Sequence, residues 1–73
     1  MTTYSREFLT SSEVAAALRD LEDLPGVLRM ERQVGALPWQ NLGATSKRAA
    51  TRYIKTFDRS LYPGRFRFSK SKD

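Results

Sequence analysis

A chain of 73 residues can bury one small hydrophobic core, and with no cysteine and no histidine it has neither a disulfide nor an ordinary zinc site to support that core. The same absence removes the usual general base near neutral pH and the most reactive nucleophile, so an enzyme is not expected. The net charge of +5 is unevenly spread: residues 1–44 hold four arginines against six acids, net −2, and residues 45–73 hold nine cations against two acids, net +7.

The first ten residues contain no apolar run of signal-peptide length, and no stretch approaches the eighteen or so apolar residues of a membrane span. A cytosolic, monomeric protein without membrane contact is therefore expected. Thr10-Ser11-Ser12-Glu13 has the form of a capping box, with Leu9 and Val14 placed as a hydrophobic staple. Val14, Leu18 and Leu21 then recur at helical spacing, which predicts a helix that Pro25-Gly26 stops near Asp23.

Residues 27 to 34 fit two periods. With period 2, Leu28, Met30 and Val34 share a face that Arg32 violates; with period 3.6, Val27, Met30, Val34 and Leu37 form a stripe. The strand is preferred, and the helix stays open. Pro38 followed by Trp39-Gln40-Asn41-Leu42 suggests one helical turn closed by Gly43.

A second helix is predicted from a Thr45 or Ser46 cap to about Arg59. At roughly 100° per residue, Arg48, Arg52, Lys55 and Arg59 share one narrow side, while Ala50, Tyr53, Ile54 and Phe57 share the other. After Pro63-Gly64, the alternation Arg65-Phe66-Arg67-Phe68 predicts a strand with phenylalanines inward. Residues 69–73 lack apolar side chains and are expected to be disordered. The expected architecture is α+β: one compact domain over 1–68 with two main helices and a two-stranded sheet from 27–34 and 65–69, followed by a disordered basic tail, 69–73. Its core is expected to join Val14, Leu18 and Leu21 to Tyr53, Ile54, Phe57 and Leu61.

No metal or cofactor site is expected. The carboxylates lack calcium-loop spacing, and the four glycines are single turn residues rather than a phosphate cradle. What remains is the cationic row, a geometry suited to phosphates or carboxylates. Candidate partner-binding residues are Lys47, Arg48, Arg52, Lys55, Arg59, Arg65 and Arg67, with Lys70 and Lys72 able to extend them. Trp39, Tyr53, Phe57, Phe66 and Phe68 can act as base-stacking platforms or as core. Tyr4 and Phe8, ahead of the first helix, are secondary contact candidates.

Gly43 to Lys55 resembles the turn and recognition helix of helix-turn-helix regulators, although Pro38 and Trp39 stand where a preceding helix belongs. That resemblance implies a DNA-binding regulator of excisionase or repressor type reading through 45–59. Over its full length, from Met1-Thr2-Thr3-Tyr4-Ser5-Arg6-Glu7-Phe8 to the basic end, the chain resembles the small transcription regulators of lytic Xanthomonas phages. This second resemblance implies binding to host bacterial RNA polymerase in the host cytosol, chiefly to the N-terminal part of the β′ subunit. It further implies inhibition of σ-dependent initiation and antitermination, while the cationic row by itself also suits contact with an RNA or DNA backbone.

Overall fold

The computed structural model describes residues 1–60 and 64–71. In chain order these form strand β1 (Thr2–Tyr4), a 3₁₀ turn (Ser11–Glu13), helix α1 (Val14–Arg19), strands β2 (Val27–Gln33) and β3 (Gln40–Ala44), helix α2 (Lys47–Lys55) and strand β4 (Arg65–Ser71). Among the described residues, no helix is long and apolar enough to cross a membrane.

The strands make one antiparallel sheet in the order β1-β4-β2-β3. This corrects the expectation of a two-stranded sheet with a disordered tail. Residues 69 to 71 lie inside β4, where Ser69 pairs with both Tyr4 and Arg29, and Ser71 with both Thr2 and Val27. The segment lacks apolar side chains, yet its backbone groups are used on both sides, which is what orders it. Lys72 and the end of the expected tail lie outside the described residues, as does Leu61.

The second correction concerns residues 40–44, which form β3 rather than a helical turn. They pair with β2 through Arg29↔Ala44, Glu31↔Asn41 and Arg32↔Gln40, with a bulge between Arg29 and Glu31. Gly43, at φ +92°, lies opposite that irregularity.

The β2–β4 ladder is the spine of the molecule, and a glycine closes each end of it. At Gly64, φ is +79° and a Cβ would meet the Gln33 carbonyl oxygen at 2.5 Å; at Gly26, φ is +114° and a Cβ would meet that of Ser71 at 2.5 Å. Only glycine fits either site without displacing backbone.

Both helices pack on one face of this sheet. Phe66 and Phe68 are fully buried there beside Met30, against Val14, Ala17 and Leu21 from the α1 region and Ala50 and Ile54 from α2. Phe8 joins them, because the chain beyond β1 stays bonded to β4: Phe8 and Phe66 exchange backbone hydrogen bonds of 2.9 and 2.8 Å. Its ring stacks on Phe68 with centroids 5.3 Å apart. Arg32 sits on this same face, which explains its break in the period-2 pattern: its guanidinium lies 4.3 Å over the Phe57 ring. Tyr53 departs from the expected core, being 36 % exposed, and Phe57 is only partly buried.

The helix starts differ in how they are capped. Ser46 caps α2 as expected, its Oγ accepting from the Ala49 N–H at 3.2 Å. At the first helix the Thr10 hydroxyl bonds Ser12 instead of a free N–H, Glu13 accepts from the Leu9 N–H, and Leu9 is exposed rather than stapled. The cap comes from far along the chain: Asp58 accepts from the Ser11 N–H at 3.3 Å and from the Ser11 hydroxyl at 2.7 Å. The first helix is also shorter than predicted: past Arg19 the N–H groups of Asp20, Leu21 and Glu22 bond to carbonyls three residues back, and the Asp20 carboxylate accepts from the Arg6 backbone N–H, Nε and NH2.

Candidate basic interface

Helix α2 turns Ala50 and Ile54 into the core, so Lys47, Arg48, Arg52 and Lys55 point to solvent. With Thr51 they border an open hollow of about 520 Å³. It is space between the long side chains of one helix rather than a cleft between elements. Thr51 donates its hydroxyl to the Lys47 carbonyl at 2.7 Å. None of the four cations makes an ion pair among the described residues.

Arg59 departs from the expected row. The helix ends at Lys55 because Thr56, Phe57 and Asp58 bond back to the carbonyls three residues earlier. The Thr56 hydroxyl also occupies the Tyr53 carbonyl at 2.7 Å. Arg59 therefore lies beyond the helix in an exposed turn, off the regular spacing that the sequence suggests. Asp58, the acid that interrupts the basic stretch in the sequence, is committed to the Ser11 cap.

The two strand arginines are not free to meet a partner as the α2 cations are. Arg65 pairs with Glu7 at 3.0 Å and stays about half exposed. Arg67 pairs with Glu31 at 2.8 Å, with side chains 19 % and 11 % exposed. Its guanidinium is also sandwiched between the rings of Tyr4, 3.8 Å away, and Trp39, 4.1 Å away. It is a packed element of the sheet. Phe8, offered above as a contact candidate, is 3 % exposed and belongs to the core. Tyr4 is 46 % exposed.

Sequence reasoning missed the Tyr4–Arg67–Trp39 stack because its members lie on three separate strands or loops and no short spacing relates them. It missed the Arg6–Asp20 pair for the same reason. Arg6 donates three hydrogen bonds to Asp20, holding that carboxyl well below the usual carboxylate range, first through the side-chain bonds and then through the backbone bond. Among the described residues no cluster of acidic side chains could hold a metal ion.

Compared with known protein families, with curated proteins and with solved structures, the chain finds no match in any of the three.

Proposed function

We propose that this chain is a transcription regulator of the phage type that binds bacterial RNA polymerase, using the α2 face as its docking surface. The observation that carries the reading is the row Lys47, Arg48, Arg52 and Lys55, exposed together and without acidic partners among the described residues. An ordinary solvated helix face mixes charge signs. A row of one sign on a rigid helix raises the rate and selectivity of meeting an anionic surface. The full-length resemblance supplies the rest of the reading: contact with the N-terminal part of β′, obstruction of σ-dependent initiation, and help for elongating polymerase in passing terminators.

The alternative, a helix-turn-helix DNA reader, requires a helix just ahead of α2. The segment there is strand β3, and this favours the polymerase reading. Co-purification with bacterial RNA polymerase separates the two. The wild-type chain should be retained in a salt-sensitive manner, and Arg48→Glu/Arg52→Glu/Lys55→Glu should be retained several-fold less. Equal recovery of both would remove α2 from the interface. A footprint on one specific duplex, with no polymerase retained, would install the DNA reader instead.

A further inference from the structure

The two helices cover one face of the sheet, and strand alternation sends a different set of side chains to the other. That set comprises Arg29, Glu31, Arg65, Arg67 and Ser69, with Tyr4 opposite Ser69 and Thr2 opposite Ser71. At its centre the Arg67 guanidinium takes one face of the Tyr4 ring and one face of the Trp39 ring. What stays accessible on each ring is then its far face and edge, and Tyr4 is still 46 % exposed. Arg29, on the same face, makes no ion pair among the described residues.

We infer that this open sheet face is a second binding surface, on which unpaired bases of single-stranded RNA stack against Tyr4 and Trp39 while Arg29 meets the phosphates. A π face is what every base offers, and aromatic rings set among cations on a sheet suit a single strand better than a duplex, whose bases are already stacked. The sandwiched Arg67 fixes both rings before a ligand arrives, so little side-chain freedom is lost on binding. The hydroxyls of Thr2 and Ser71, 2.8 Å apart, lie one same-face position along from Tyr4 and can exchange hydrogen bonds with ribose 2′-hydroxyls. That is the reason for RNA over DNA. The surface lies on the opposite side of the sheet from α2 and does not depend on the polymerase reading.

Trp39 is the only tryptophan, so its fluorescence reports this surface alone. In low salt without polymerase, the full chain is titrated with oligoadenylate RNA of about ten nucleotides, a length typical of single-strand sites. Saturable quenching of Trp39 is expected, with binding about tenfold weaker in Tyr4→Ala and retained in Tyr4→Phe, since the ring and not its hydroxyl does the stacking. If Tyr4→Ala loses the wild-type circular dichroism spectrum, Tyr4→Leu replaces it with the same expectation. The Arg48→Glu/Arg52→Glu/Lys55→Glu variant should keep the quenching. Absence of quenching in the wild type would overturn the inference. Equal quenching by DNA of the same sequence or by polyglutamate would do so too, as would loss of binding in the α2 variant with Tyr4→Ala unaffected.

Discussion

Arg6 and Asp20 are joined by three hydrogen bonds, and their geometry fixes a pH dependence. The folded state lowers the Asp20 pKa from an unfolded value near 3.9. Its contribution is therefore complete above that unfolded value and is lost as pH falls toward and through the folded one. Asp20→Asn should lower the urea midpoint at pH 7, and the gap from wild type should narrow steadily below about pH 4. A gap of constant size down to pH 2 would mean that the carboxylate charge contributes nothing. None of this was readable beforehand, because fourteen positions separate the partners and Asp20 looks like one more acid on a solvated helix end. Arg67 repeats the lesson: the Arg65 to Phe68 alternation shows which way it points, whereas Glu31, Tyr4 and Trp39, which decide what it does there, come from elsewhere in the chain.

At the scale of elements, legibility followed how local the determining interaction is. The α2 start was readable because Ser46 and Ala49 are three residues apart, and the β2 strand because period 2 was present with one exception. The α2 end was not, since it depends on Thr56 taking a carbonyl and on Asp58 being drawn to Ser11. Strand β3 was hidden by Pro38, which suggests a helix start, while its actual partner is β2. The two caps can be compared directly. Ser46→Ala removes a local cap and Asp58→Ala one that spans 47 positions, yet each satisfies otherwise free groups at a helix start. Each should cost about 1 kcal/mol in urea denaturation. Both variants should also lose helical circular dichroism early in the melt. A neutral Asp58→Ala would show that Thr10, not Asp58, caps the first helix in solution.

Across the whole molecule, the half-acidic, half-basic division of the sequence does not correspond to two halves of the fold. Acids from the first part pair with arginines of the last, Glu7 with Arg65 and Glu31 with Arg67. The segregated charge that remains visible is confined to α2. This interleaving exists because β4 is inserted between β1 and β2, so residues 65–71 bind together segments from the beginning and middle of the chain. The polar composition of residues 69–73 predicts a disordered tail; the sheet order instead makes residues 69–71 part of its framework. Truncation after Phe68 would strip Ser69, Lys70 and Ser71 of their pairings, and those three positions are the whole register of β1. Tyr4 would then lose its strand and Arg67 one of its two rings. For so small a domain, each kcal/mol lost lowers the melting temperature by roughly 4–8 °C. The truncated chain should melt about 10 °C or more below the full chain, since at least two ladder hydrogen bonds worth about 1 kcal/mol each are removed. Its Trp39 emission should also shift to the red as the open face loosens. An unchanged melt would return residues 69–71 to the status of a tail and detach β1 from the sheet.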